Sequence, residues 1–221
     1  MEISALFLAS LSLFLFSQAS AEDVTNNPAD QLVAALNSNR TAHKSTSLYA
    51  NPGLGCLALE YIKAYSGQCD KVGDNMKPPD SDFTNTFAPN CGVDAKSLSP
   101  ITGRLLVCQS KYVQPNEAFD LLIRNDRSLQ ILYDKNHTEV GAAVRGTDGG
   151  APYFWSVLFS GGKKNASFVF ADGTPKVVRP GCYSGANDEC SGASGGQMQG
   201  GVWVSVVAGV LSVVVCVVFG L

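Results

Sequence analysis

Two long apolar runs bracket the chain and decide how much of it is left to fold. The opening, "MEISALFLASLSLFLFSQASAED", is apolar over residues 3–16 and then carries Ala19-Ser20-Ala21. That is the pattern of a secretory signal cleaved after Ala21, although no basic residue precedes its apolar stretch. A buried N-terminal helix is a poorer account, because the run is apolar on every side. The closing run, residues 202–221 of "GGVWVSVVAGVLSVVVCVVFGL", has the length of a bilayer span. Yet the last basic residue before it is Arg179, whereas a resident span normally carries Lys or Arg at its cytoplasmic flank. Small residues, a polar spacer and an apolar tail, in that order, form a GPI-attachment signal. "CSGASGGQMQGG" supplies the first two. Ser191, followed by Gly192 and Ala193, fits the attachment site best, and Ser194 is the alternative. An uncleaved C-terminal span is the competing reading.

The expected organisation is then a signal peptide at 1–21, an extracellular domain at 22–180, a short disulfide-closed stalk at 181–191 and a removed propeptide at 192–221. Removing both ends leaves 170 residues, enough for one domain with its own core. The full chain has 16 Lys+Arg against 19 Asp+Glu, and loss of Glu2 with the signal leaves a net charge of −2. There is no basic stripe, which argues against a nucleic-acid partner. An anionic lipid surface has nothing to attract either.

Cysteine usage agrees with export. Cys216 leaves with the tail, so Cys56, Cys69, Cys91, Cys108, Cys182 and Cys190 remain. An even number in an oxidising compartment implies three bridges. Only Cys182–Cys190 has a local argument, because "CYSGANDEC" is a short loop rich in turn-forming residues. No C-x2-C pair is present to suggest zinc. Three N-x-S/T sequons mark candidate glycosylated asparagines, Asn39, Asn136 and Asn165. The latter two sit in turn-like segments. Asn39 falls one turn beyond Leu36 on a helical stripe, so a glycan there requires the helix to have ended or turned outward.

"NNPADQLVAALNSNR" reads as a helix with Asn27 as cap, Pro28 in the first turn, Asp30 at the positive end of the dipole, and Leu32, Val33 and Leu36 inward. "NPGLGCLALEYIKAYSGQC" repeats the signal with Asn51-Pro52, buries Leu54, Leu57, Ala58, Tyr61, Ile62 and Tyr65, and stops at Gly67. "DNMKPPDSDFTNTFAPNCGVD" is rich in Pro, Asp and Asn and reads as a long loop that Cys69 and Cys91 can pin. A third helix follows Pro115, with Phe119, Leu122 and Ile123 inward. The period then changes. "TEVGAAVRG" and "YFWSVLFSG" read as strands of a hairpin turning at Asp148-Gly149, and "ASFVFADG" and "TPKVVRP" as two further strands. In the hairpin, Tyr153 and Trp155 are expected on one face and Phe154 and Phe159 on the other. Helices followed by strands indicate an α+β fold, with helices layered on a small antiparallel sheet.

Several of these segments carry a resemblance. "LVAALNSNRTAHKSTSLYANPGLGCLALEYIKAY" resembles the first helical pair of CAP-superfamily domains, the group of cysteine-rich secretory and pathogenesis-related proteins. "GRLLVCQSKYVQPNEAFDLLIRNDRSLQILYDKNHTEVGAAV" is similar to their central region, and "YFWSVLFSG" to their aromatic core strand. The whole layout resembles a plant family of small GPI-anchored glycoproteins with no assigned activity. The resemblance implies a CAP-like layered fold. Many CAP domains also hold two His and two Glu in a metal-binding cleft, and here the pattern departs. Gly103-Arg104-Leu105 stands where a glutamate motif would fall, and Arg127 or Ser128 where a histidine would, so the metal cleft is not carried over.

The remaining chemistry is sparse. His43 and His137 are the two histidines of the chain. His137 lies inside a sequon, where a glycan would crowd a substrate, and His43 lies in a polar helix exit. No G-x-S-x-G elbow supports a hydrolase. Asp80 and Asp82, expected in a loop, supply too few oxygens for calcium. Glu117 and Asp120 suit the start of a helix, and Glu139 is read as a structural carboxylate that orients its turn. Oxidised cysteines are not nucleophiles. No catalytic residue, metal or cofactor is therefore expected. The sequence points to a non-enzymatic surface module on the outer face of the plasma membrane. Its partner would be a surface protein, the cell wall or a small apolar ligand such as a sterol or lipid. The alternatives are a degenerate hydrolase or metal-dependent enzyme, and a structural wall glycoprotein.

Overall fold

Two Asn-Pro pairs start the two longest helices, and the caps form as the sequence reading expects. The computed structural model describes residues 27–65, 67–72, 79–147, 150–162, 168–172 and 182–185. In α1 (Pro28–Ala42) the side chain of Asn27 accepts from the amide of Ala29 at 2.8 Å. In α2 (Pro52–Ala64) Asn51 accepts from Gly53 and Leu54 at 2.9 and 3.3 Å. Each cap satisfies amides that the first helical turn leaves without a partner. Gly67 follows α2 with φ +76°, a conformation that glycine adopts without steric penalty.

The remaining elements are β1 (Tyr49–Ala50), α3 (Asp80–Cys91), β2 (Ile101–Gln109), α4 (Pro115–Leu122), α5 (Asp126–Tyr133), β3 (Glu139–Thr147) and β4 (Gly150–Ser160). The sheet order is β1-β3-β4-β2. β4 runs antiparallel to both β2 and β3, whereas β1 runs parallel to β3 through Tyr49–Glu139 and Ala50–Val140. The sheet is thus mixed rather than wholly antiparallel, and the class is α+β.

Helices cover both faces. On one, α1, α4 and α5 bury Leu32, Leu36, Phe119 and Leu132 against Trp155, Val157 and Phe159. On the other, α2 and α3 bury Leu57, Tyr61, Phe83 and Phe87 against Phe154 and Leu158. Phe159 therefore shares the face of Trp155 and not that of Phe154. Strand side chains alternate with a period of two, which puts odd-numbered residues of β4 together. Each large side chain buried in this way contributes about 1.5–3 kcal/mol of transfer free energy.

α3 corrects the expected loop. Phe83, Phe87, Ala88 and Cys91 are buried at helical spacing inside a segment whose composition reads as loop. Pro89 is tolerated close to the C-terminus, and Gly92 closes the helix at φ +65°. Asp80 and Asp82 accordingly lie in the first turn of a helix rather than in a loop. Two bridges brace this half of the molecule. Cys56–Cys91 ties α2 to the end of α3, and Cys69–Cys108 ties the turn after α2 to β2, with Cα separations of 6.0 and 5.5 Å.

β2 and α5 also exceed the sequence reading. β2 pairs along its length with β4, and α5 is capped by Asn125, whose side chain accepts from the amide of Ser128 at 2.8 Å. Of the two strands expected after β4, the described part makes a single bridge, Phe170 to Val93. "TPKVVRP" lies outside the described residues.

Candidate functional site

His137 and Glu139 lie near the start of β3, each in its own setting. His137 follows α5 and is 1 % exposed. The Thr102 hydroxyl and its Nδ1 are 2.8 Å apart, and its ring stacks on Phe159 with centroids 4.7 Å apart and 17° between planes. Among the described residues its Nε2 has no hydrogen-bond partner. Burial holds the imidazole below the usual histidine range, opposed by Asp134 and the Ile131 carbonyl and assisted by Arg40. Gly103 makes this packing possible. A Cβ there would lie 2.7 Å from Ile131 Cγ2 and 3.2 Å from His137 Nε2.

Glu139 points into a separate polar nest. It is 2 % exposed, accepts from Ser160 Oγ at 2.9 Å and from Asn51 Nδ2 at 3.3 Å. Asn51 thus caps α2 with its oxygen and holds Glu139 with its nitrogen. This ties the start of α2 to the β1–β3 junction.

The other candidates are dispersed. Arg104 is buried with its guanidinium 5.1 Å from the Phe83 ring centre and 5.5 Å from that of Tyr61, so this position serves the α2–α3 layer. Ser128 is buried, with its hydroxyl 3.0 Å from Asn125 Oδ1, and Arg127 is exposed on the same helix. His43 is exposed, with Nδ1 2.9 Å from the Asn39 carbonyl and its ring 5.0 Å from that of Tyr133. Among the described residues, no three His, Cys, Asp or Glu side chains come together as a metal-binding group.

The sequons differ in setting. Asn136 is exposed in the turn between α5 and β3. Asn39 lies inside α1, which continues to Ala42, and the Tyr133 hydroxyl donates to its Oδ1 at 2.6 Å. The helix has neither ended nor turned outward at Asn39, which is half-buried. Asn165, Cys190 and both attachment serines, Ser191 and Ser194, lie outside the described residues, as do the two terminal apolar runs. No helix among the described residues is long and apolar enough to cross a membrane.

Cys182 is disulfide-bonded to a partner outside the described residues. Residues 182–185, expected in a stalk, instead pack on the body of the domain. Tyr183 bridges Ala143 of β3 in antiparallel fashion.

Six chains of solved structures are similar to this chain, two of them as follows. An outer surface protein of Borrelia burgdorferi matches at 15 % identity with a TM-score of 0.46, over 63 % of this chain and 96 % of that one. A cysteine-rich secretory protein of Staphylococcus aureus matches at 11 % identity with a TM-score of 0.44, over 64 % of this chain and 40 % of that one. A scan against protein-family models finds no match. A search of the curated proteins finds none either.

Proposed function

We propose that this chain is a secreted glycoprotein held on the outer face of the plasma membrane by a GPI lipid. Its CAP-like domain would bind a partner rather than catalyse a reaction. The observation that carries this reading is the oxidised cysteine set: Cys56–Cys91, Cys69–Cys108 and a bonded Cys182. Such bridges form and persist outside the reducing cytosol. The exposed turn at Asn136 supports a glycan there, and a sequon at Asn165 supplies a second. The binding role is supported by where the titratable groups are spent. His137 is stacked beneath the surface and Glu139 holds the α2 cap, so each is engaged in the fold. The partner class is a surface protein, a wall polymer or a small apolar ligand.

The test is made on intact cells expressing the full chain. Phosphatidylinositol-specific phospholipase C should release it into the medium, and proximity labelling before release should recover a reproducible surface partner. Retention on the cell after treatment would sink the anchor.

A second reading is a degenerate hydrolase, favoured by one contact. The exposed Thr102 hydroxyl lies 2.8 Å from a neutral His137, the spacing of a nucleophile and its base. An active-site-directed fluorophosphonate that labels the native chain but not Thr102→Val would favour it.

A further inference from the structure

The two rims of the sheet are finished differently. On the β3 side the chain covers its own edge. The amides of Tyr49 and Asn51 donate to the carbonyls of Thr138 and Val140, the amide of Ser184 to that of Ala142, and the amide of Val144 to that of Cys182, each at 2.8 or 2.9 Å. The other rim is β2, which among the described residues pairs with β4 alone.

Strand register fixes which groups of β2 point outward. The bonds just given turn the even-numbered residues of β3 away from β4. Gly141, Ala143 and Arg145 therefore exchange bonds with Leu158, Ser156 and Phe154. The odd-numbered residues of β4 turn to β2 instead, where Val157 meets Leu105, Trp155 meets Val107 and Tyr153 meets Gln109. The backbone amides and carbonyls of Leu106 and Cys108 are left facing out of the sheet. Among the described residues, none bonds to them there.

This stretch lacks the usual protection of an edge strand. Between Leu105 and Gln109 there is no Lys, Arg, Asp, Glu or Pro. The irregularity in the β2–β4 register lies at the other end, between Ile101 and Gly103. Leu106 and Val107 are half-buried on opposite faces, Leu106 against the α2–α3 layer and Val107 against the α1–α4–α5 layer. Both apolar layers thus run out to the rim unfinished.

We propose that β2 of one copy pairs antiparallel with β2 of a second copy about a two-fold axis at Val107, joining two four-stranded sheets into one. Leu106 of each copy then exchanges backbone bonds with Cys108 of the other. Val107 meets Val107 across the axis with Cα atoms about 4.5 Å apart. The axis is perpendicular to the sheet, so each apolar layer continues into the same layer of the other copy, which is the self-complementarity a two-fold contact requires. The chain carries a net charge of −3, yet its copies meet here through a neutral stretch, with no like charges opposed.

The test uses the protein as purified from expressing cells. Sedimentation equilibrium from sub-micromolar to high-micromolar concentration should show the mass doubling. Exchange of the Leu106 and Cys108 amides should slow in step by about tenfold or more, while the Leu105 and Val107 amides, already bonded to β4, change little. Val107→Lys and Val107→Glu should each remain monomeric, because like charges then face each other across the axis, and mixing the two should restore the dimer. Either long side chain can carry its charge out to the rim, and unchanged exchange of buried β3 amides checks that the variants fold. If a variant unfolds, the concentration series on the native chain decides alone. A monomeric mass at every concentration overturns the proposal, as does a dimer in which the two outward amides exchange no slower. Protection of those amides in the monomer assigns the edge to a segment of the chain itself and overturns it too. So does protection that arises only when other surface proteins are added, which assigns the edge to a foreign strand.

Discussion

The imidazole of His137 lies flat on the ring of Phe159, sealed beneath Thr102 and Gly103. Its neighbour in sequence, Asn136, is exposed. One step along the chain separates a solvated sequon from the core.

Burial lowers the pKa of His137 relative to the unfolded chain. Below the unfolded value of about 6.5 the unfolded state binds a proton that the folded state refuses. Stability contributed by the neutral ring is thus complete above that pH and is lost as pH falls through it. His137→Gln keeps the sequon intact and should flatten this part of the profile. Urea midpoints of the purified domain at pH 7.5 and 5.5 check it: the native chain should lose more stability than the variant.

Gly141 of β3 faces the start of α2, where a Cβ would overlap the amide nitrogen of Gly55 and the carbonyl carbon of Leu54. Those are backbone atoms and cannot step aside as a flexible side chain does. Gly141→Ala should destabilise by about 1–3 kcal/mol or more through overpacking. Thermal unfolding of the purified domain would read this, and an unchanged midpoint would contradict the packing described.

The Cys56–Cys91 bridge closes a separation of 35 residues. Chain-entropy reasoning gives such a loop about 3–4 kcal/mol of stabilisation. The Cys56→Ala/Cys91→Ala double variant should lose that amount in equilibrium unfolding, with the loss concentrated in α3. Hydrogen exchange of α3 amides provides the local readout.

Glycan occupancy should divide the sequons. Asn136→Gln is expected to remove one enzymatically releasable glycan from the secreted chain. Asn39→Ala should change no glycan mass, yet should lose about 1 kcal/mol with the Tyr133 hydrogen bond. Intact-mass measurement before and after deglycosylation separates these outcomes.

Legibility followed local chemistry. α1, α2 and α4 were readable because Asn-Pro or Pro marks their starts and apolar residues recur at helical spacing. The β3–β4 hairpin was readable from its alternating strands, which pair from Glu139–Ser160 to Thr147–Gly150; the expected Asp148-Gly149 turn lies outside the described residues. α3 was not, because Pro and Asp dominate its composition, although Phe83, Phe87 and Cys91 carried the helical period throughout. β2 hides its period because Leu105 packs on one face and Leu106 on the other. The burial of His137 has no signature in sequence: it depends on Gly103 and Phe159, brought in from other strands. Arg104 is similar, since its two aromatic partners come from separate helices.

Helices roof the sheet above and below, so neither broad surface of the strands is open as a platform. Among the described residues, what stays open is the rims: the turns between elements and the outer flanks of the helices. Those positions can change residue by residue without disturbing either apolar layer, which leaves the outside of the domain free to vary while its interior stays fixed.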